Sequence, residues 1–150
     1  YHAGGQQDYI AIVARTPEGL IPLVRQYRPA VERCTWELPA GLVDPGEHAA
    51  ETCRRELMEE TGLPAKTVHP LGAFAPCTAR LSNRVHSFFV DAGPRADNAP
   101  VEAGIEVKLV TPEELSDLIR AGTFTLQLHI GALLLAGMHG FIDLTAFTRD

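Results

Sequence analysis

The sequence predicts an α/β protein in which helices pack on a mixed β-sheet. The chain has 150 residues, of which 45% are hydrophobic and 21% charged, as in a single globular domain. The patterns follow the order strands, helix, strands, helix, helix, which differs from the regular alternation of a parallel sheet. Predicted strands cover residues 9–14, 20–27, 35–38, 68–74, 85–91 and 105–110, and predicted helices cover residues 47–61, 111–122 and 126–138.

The first two strands are predicted to form a hairpin. Residues 9–14 are rich in β-branched side chains, and residues 20–27 are predicted to form the second strand. Between them, Thr16-Pro17-Glu18-Gly19 has the composition of a tight turn. The short third strand is expected to stop at Pro39.

The first helix is predicted from its interior and from its end. Residues 47–61 contain no Gly or Pro, and Gly62 occupies the position at which a glycine commonly ends a helix. Ala50, Cys53 and Leu57 are expected to form the apolar face that packs on the sheet.

The second helix is predicted from its first residues, and the third from its apolar composition. Thr111 can cap the second helix, Pro112 suits its first position, and Glu114 completes a capping box. The last helix, over residues 126–138, is expected to be largely buried.

The charge of the chain narrows its possible partners. It has 13 basic and 19 acidic residues, for a formal net charge of −6. An acidic protein is a poor candidate for binding nucleic acid or anionic membranes. It can bind a small anion only with the help of a local arginine cluster, a metal ion, or both.

The cysteines and the first residues of the sequence indicate the cellular compartment in which we expect the protein. Cys34, Cys53 and Cys77 are an odd number at scattered positions and include no C-x-x-C pair, so neither a disulfide framework nor a zinc site is expected. No signal peptide is visible, and the most apolar stretch, residues 130–141, is too short to span a bilayer. We expect a cytoplasmic protein and, because the chain begins at Tyr1, further residues upstream.

The segment from Gly41 to Leu63 carries the most informative pattern. It reads Gly41, five residues, Glu47, seven residues, Arg55-Glu56-Leu57, one residue, Glu59-Glu60, one residue, Gly62-Leu63. On a helix Glu56, Glu59 and Glu60 face the same way, and their repulsion favours a site for Mg²⁺ or Mn²⁺, which prefer carboxylate oxygens. Arg55 lies one turn before Glu59 and can orient a carboxylate. A bare E-x-x-E-E would more often be a solvated acidic face, but nine constrained positions rarely match by chance.

This pattern is the Nudix box, G-x5-E-x7-R-E-U-x-E-E-x-G-U with U aliphatic, so the chain resembles the Nudix hydrolase superfamily. The resemblance implies an α/β/α sandwich and a single domain over residues 1–150. It also implies hydrolysis of a nucleoside diphosphate linked to another moiety, with Mg²⁺ or Mn²⁺ as cofactor. Glu56, Glu59 and Glu60 are then the expected metal ligands, and Arg55 and Glu59 belong to the catalytic set.

Two motifs before the box resemble one branch of that superfamily, the ADP-ribose and nucleotide-sugar pyrophosphatases. They are Gln26-Tyr27-Arg28-Pro29 and Trp36-Glu37-Leu38-Pro39-Ala40-Gly41. The resemblance implies that the Ala40 carbonyl is a metal ligand and that Arg28 and Leu42 bind the substrate. Only one of Tyr27 and Arg28 can face the cleft of a regular strand, and Trp36 is expected in the core rather than stacked on a base.

The resemblance also implies a proton acceptor in a mobile loop. The loop over residues 97–104 contains Glu102, the best match, while Glu106 remains the alternative and an ordinary acidic surface loop is nearly as well supported. Ala79 stands where ADP-ribose pyrophosphatases commonly have Pro, which weakens the assignment to ADP-ribose itself. Arg80 and Arg84 either hold a terminal phosphate or sugar or face solvent.

The leading hypothesis is therefore a Mg²⁺-dependent hydrolase of ADP-ribose or a related nucleoside diphosphate sugar. One alternative keeps the chemistry and takes a dinucleotide or an oxidised nucleotide as substrate. The other is a ligand-sensing module without turnover, which has less need of three carboxylates and Arg55. A homodimer is expected from the resemblance alone. His86, His129 and His139 show no paired-ligand spacing and are expected in the core or on the surface.

Overall fold

The computed structural model describes residues 6–148, so Tyr1 lies outside the described residues. Within these residues, seven strands and three α-helices follow in the predicted order, and one short strand, residues 40–42, was not predicted. The strands are β1 (Tyr9–Arg15), β2 (Ile21–Arg28), β3 (Arg33–Glu37), β4 (Ala40–Leu42), β5 (Ala65–Phe74), β6 (Val85–Ala92) and β7 (Glu106–Val110). The helices are α1 (Ala49–Thr61), α2 (Pro112–Arg120) and α3 (Gln127–Met138), with short 3-10 helices at Pro29–Val31 and Leu144–Phe147.

The predicted α/β fold class is confirmed, and the strands divide between two sheets. The four-stranded sheet has the order β4-β1-β6-β5, in which β1 and β6 are parallel and the other pairs antiparallel. This is the mixed sheet that the sequence predicted. The second sheet, β3-β2-β7, is antiparallel throughout.

The predicted hairpin of the first two strands is wrong. β1 pairs with β4 and β6, whereas β2 pairs with β3 and β7, and the turn at residues 16–19 carries the chain between the sheets. The physical reason is burial: residues 10–14 are all fully buried, so β1 needs a ladder partner at both edges. Both edges are already occupied by β4 and β6.

The core has two layers, one on each side of β1. Ile10, Ile12 and Ala14 face α1, while Ala11 and Val13 face the second sheet, α2 and α3. This alternation follows from the two-residue period of a strand. Helices and sheets therefore stack in layers, with β1 in the middle.

Helix α1 begins two residues later than predicted, after His48. Its buried face includes Cys53 and Leu57 as expected, but Ala50 is exposed and Ala49 packs against the core instead. Ala50 was assigned to the wrong face because it lies three residues from Cys53, whereas Ala49 lies four residues away on the buried side.

The capping box of α2 is confirmed. The Glu114 N–H donates to Thr111 Oγ1 at 3.1 Å, and the Thr111 N–H donates to Glu114 Oε1 at 3.1 Å. The expectation that α3 is largely buried is wrong. One stripe, His129, Ala132, Leu133 and Ala136, is buried, while Leu134 and Met138 are exposed. Among residues 6–148, every helix is too short or too polar to cross a bilayer.

Candidate active site

A cleft of about 280 Å³ opens between α1, β4 and the loop before β7. We call it the carboxylate cleft. It is lined by Tyr9, Gln26, Arg28, Ala40, Gly41, Leu42, Glu56, Glu60, Glu102 and Ile105. The structure therefore brings together most of the residues that the sequence assigned to a site, from elements up to 74 positions apart in the chain.

Glu60 is the most deeply placed carboxylate of the cleft, with 3% of the residue exposed. Its Oε2 accepts a hydrogen bond from the Ala40 N–H at 3.1 Å. Burial, together with the negative charges of Glu56 and Glu102, raises the pKa of Glu60 to about 8. Such a carboxylate is charged at lower cost when a cation lies beside it.

Glu56 lies against the backbone of the strand that leads into α1. A Cβ at Gly41 would stand 2.5 Å from Glu56 Cδ and 2.6 Å from its Oε1. Only a glycine leaves room for the carboxylate in this position. Burial raises the pKa of Glu56, although the Arg55 charge acts in the opposite direction.

Arg55 binds acidic side chains that lie both before α1 and along it. Its guanidinium donates to Glu47 at 2.9 and 3.0 Å, to Glu56 Oε1 at 2.9 Å and to Glu59 Oε2 at 3.2 Å. Hydrogen bonds from Arg55 and Thr52 lower the pKa of Glu47 to about 2. The role of orienting a carboxylate, expected of Arg55, is the one its geometry supports.

Glu59 does not share the position of the other two box glutamates. Its side chain is half exposed, contacts Arg55, and is not among the residues that line the carboxylate cleft. The sequence grouped all three on one face. In the helix Glu59 and Glu60 are about 100° apart, which separates their carboxylates.

Arg28 is fixed at the cleft by Glu37, a residue of the motif before the box for which the sequence predicted no role. Arg28 Nε and Nη2 donate to the two Glu37 oxygens at 2.9 and 2.7 Å. Thr35 Oγ1 adds a third bond at 2.6 Å. Burial opposes the ionisation of Glu37, but the bonds from Arg28 and Thr35 outweigh it and lower the pKa.

The structure shows which of Tyr27 and Arg28 faces the cleft, and it shows where Trp36 lies. Arg28 lines the cleft, whereas Tyr27 is 58% exposed on the other side. Trp36 lies in the core, where the Arg25 guanidinium stacks over its ring at 5.2 Å. Trp36 is therefore a packing residue, as expected.

The two candidate proton acceptors lie in different places. Glu102 lines the carboxylate cleft, and its backbone N–H donates to the Glu59 carbonyl at 3.0 Å. Glu106 instead pairs with Arg25 on the second sheet. Arg80 is exposed in the loop between β5 and β6 and does not line the cleft.

A larger cavity of about 530 Å³ adjoins the carboxylate cleft. We call it the adjoining cavity. Tyr9, Arg28 and Leu42 line both spaces and so mark their junction. The walls of the adjoining cavity are mostly apolar and include Val31, Pro76, Leu81, Val85, Leu126 and Leu128.

The donor set of the cleft suits a hard divalent cation. Its potential ligands are carboxylate and backbone oxygens, without His or Cys, which is the choice of Mg²⁺ and Mn²⁺. Among residues 6–148, no three His, Cys, Asp or Glu side chains are already grouped tightly enough to hold a metal ion. Part of the separation between the carboxylates is due to Arg55, because Glu56 and Glu59 both form ion pairs with its guanidinium.

A family model and two known proteins match parts of this chain. A family model described as the NUDIX domain matches residues 5–127. The ADP-ribose pyrophosphatase of Bacillus subtilis is 39% identical over 82 residues, covering 55% of this chain and 44% of that protein. The ADP-ribose pyrophosphatase of Mycobacterium tuberculosis is 54% identical over 59 residues, covering 39% of this chain and 28% of that protein. The chain thus spans less than half the length of these two relatives.

A solved structure shares the fold. The chain is similar to the crystal structure of an ADP compounds hydrolase with a TM-score of 0.73, over 91% of this chain and 76% of that one. Sequence identity is 21%, so this likeness concerns the arrangement of strands and helices.

Proposed function

Because this chain belongs to the NUDIX domain family, we propose that it hydrolyses the pyrophosphate bond of ADP-ribose or a related nucleoside diphosphate sugar. The products are a nucleoside monophosphate and a sugar phosphate. One observation carries the proposal: Glu56, Glu60 and Glu102 share a cleft with Arg28, which Glu37 holds in place. Acidic groups and a fixed cation in one cleft suit a diphosphate and its metal ion.

The metal ligands that we propose are the Ala40 carbonyl and the carboxylates of Glu56, Glu59 and Glu60, with Mg²⁺ as the ion and Mn²⁺ as a substitute. When bound, the ion neutralises phosphate oxygens, polarises phosphorus and lowers the pKa of the attacking water. Glu59 now pairs with Arg55, so its part as a ligand requires that contact to loosen.

Three other residues that line the cleft, Arg28, Leu42 and Glu102, bind the substrate or accept the proton. The Arg28 guanidinium binds diphosphate oxygens, a task for which its planar fork is suited. Glu102 accepts the proton of the attacking water, and its exposed loop can close over the substrate. Leu42 and the adjoining cavity take the part of the substrate beyond the diphosphate.

The proposal is tested by product release from a panel of ADP-ribose, ADP-glucose, UDP-glucose, GDP-mannose, NADH and diadenosine polyphosphates, with Mg²⁺ and with EDTA. We expect metal-dependent cleavage of ADP-ribose, lost in Glu60→Gln. Preference for another sugar nucleotide would move the substrate assignment, and no turnover of any compound would favour a ligand-sensing module.

A matched pair of variants tests the proton acceptor. Glu102→Gln and Glu106→Gln make the same change in neighbouring exposed residues, but only Glu102 lines the cleft. We expect kcat to fall by about a hundredfold or more in Glu102→Gln and to stay near wild type in Glu106→Gln. The reverse order would transfer the role to Glu106.

A further inference from the structure

We propose that the Tyr9 hydroxyl donates a hydrogen bond to a phosphate oxygen of the substrate, and that His129 fixes the hydroxyl in this donor role. Tyr9 is the first residue of β1, and His129 lies on α3, 120 positions along the chain. The inference rests on the proposed function, because it concerns the substrate of the same cleft.

The tautomer of His129 follows from its neighbour Leu38. The backbone N–H of Leu38 donates to His129 Nδ1 at 3.0 Å, so Nδ1 carries no hydrogen. A neutral imidazole with a bare Nδ1 carries its hydrogen on Nε2. His129 is fully buried, and burial lowers its pKa to about 4, in keeping with a neutral ring.

The tautomer then sets the direction of the next hydrogen bond. His129 Nε2 lies 2.6 Å from the Tyr9 oxygen. Because Nε2 carries the hydrogen, it donates and the Tyr9 oxygen accepts. The hydrogen of the Tyr9 hydroxyl remains free for another acceptor, and within residues 6–148 the bond to His129 is the only one that this hydroxyl makes.

Nearby carboxylates already have donors of their own. The Glu37 oxygens accept from Arg28 and Thr35, and Glu60 Oε2 accepts from the Ala40 N–H. In the part of the chain that the structure describes, neither carboxylate is a hydrogen-bond partner of the Tyr9 hydroxyl, so its hydrogen is available to an acceptor that enters the cleft.

The position of Tyr9 indicates which acceptor this is. Tyr9 lines both the carboxylate cleft and the adjoining cavity, as does Arg28. A substrate whose diphosphate lies in the carboxylate cleft and whose other part lies in the adjoining cavity must extend past Tyr9 and Arg28. A phosphate oxygen there meets a guanidinium and a hydroxyl donor together, which gives it two directed hydrogen bonds.

The test uses Tyr9→Phe, with Tyr27→Phe as the matched control on the exposed side of the second sheet. Calorimetry in Mg²⁺ measures binding of the α,β-methylene analogue of ADP-ribose, which cannot be cleaved at the bridging position. We expect Kd to rise by about tenfold in Tyr9→Phe and to be unchanged in Tyr27→Phe. With ADP-ribose, KM should rise while kcat stays within about threefold of wild type. A partly misfolded variant would instead lose kcat at constant KM.

A second measurement needs no variant. The ¹⁵N chemical shifts of labelled imidazole in the wild-type protein report which nitrogen of His129 is protonated, and we expect a bare Nδ1. A protonated Nδ1, or a Tyr9→Phe protein whose Kd is within about twofold of wild type, would overturn the inference. A wild-type protein that binds no diphosphate analogue counts against the proposed function, while the imidazole shifts still test the tautomer.

Discussion

Lowering the pH from 7 to 5 should destabilise this protein through His129. The folded state holds its imidazole neutral, with a pKa near 4, whereas the unfolded chain protonates it near 6.5. Between these values the unfolded state binds one more proton, so stability falls as the pH falls. Each pKa unit corresponds to about 1.4 kcal/mol, which gives a loss of about 2 kcal/mol between pH 7 and pH 5.

Urea unfolding of wild type and His129→Asn at both pH values measures this contribution. Asn lacks the titrating ring but keeps an acceptor for the Leu38 N–H. We expect the wild type to lose about 2 kcal/mol more than the variant between pH 7 and pH 5. The comparison is needed because Glu60, whose raised pKa makes stability fall as the pH rises, acts in the opposite direction in both proteins.

His139→Asn serves as the control, because His139 is exposed at the end of α3. A loss of stability at low pH that this variant keeps and His129→Asn lacks belongs to the buried ring of His129. If His129→Asn shows the wild-type pH dependence to within about 0.5 kcal/mol, the neutral buried imidazole is refuted.

Three further substitutions test the cleft and the fold. Gly41→Ala should lower kcat by at least about tenfold, because its Cβ displaces the Glu56 carboxylate, while stability changes by less than about 1 kcal/mol. Glu37→Gln should raise KM by about tenfold, because Arg28 loses its charged partner. Thr111→Ala should lower the free energy of unfolding by about 1 kcal/mol and leave kcat unchanged. Steady-state kinetics and urea unfolding measure all three.

Each of these substitutions has a matched control. Gly131→Ala adds the same methyl group where nothing lies within 4 Å, and it should keep full activity. Glu106→Gln removes a carboxylate outside the cleft, and Thr78→Ala removes an exposed threonine in a loop. A Gly41→Ala protein as active as Gly131→Ala, or an unchanged KM in Glu37→Gln, would contradict the assigned contacts.

The sequence predicted what depends on neighbouring residues. The capping box at Thr111 and the end of α1 at Gly62 are set by contacts within four residues, so composition and spacing suffice. The spacing of the box likewise places Glu56 and Glu60 together, one turn apart on α1.

The sequence did not predict contacts between residues that lie far apart in the chain, nor strand pairings that depend on burial. The choice of β1 for partners other than β2 depends on strands that follow much later in the chain. Glu37 and Arg28 lie nine positions apart and His129 and Tyr9 lie 120 apart, so neither pairing follows from the spacing of neighbouring residues. Glu37 does stand in the quoted motif, and a charged residue amid apolar neighbours in a short strand is a signal that could have marked it.

Strand β1 limits which amino-acid substitutions this protein tolerates. Its alternate residues fill two separate cores, and its first residue reaches the cleft. Sliding the strand by one residue would exchange the two sets and remove Tyr9 from the cleft at the same time. A substitution that disrupts the packing of one core therefore cannot be compensated by a shift in the register of this strand. Variation along β1 is confined to swaps that conserve side-chain volume, and substitutions in the two cores will interact through it rather than add.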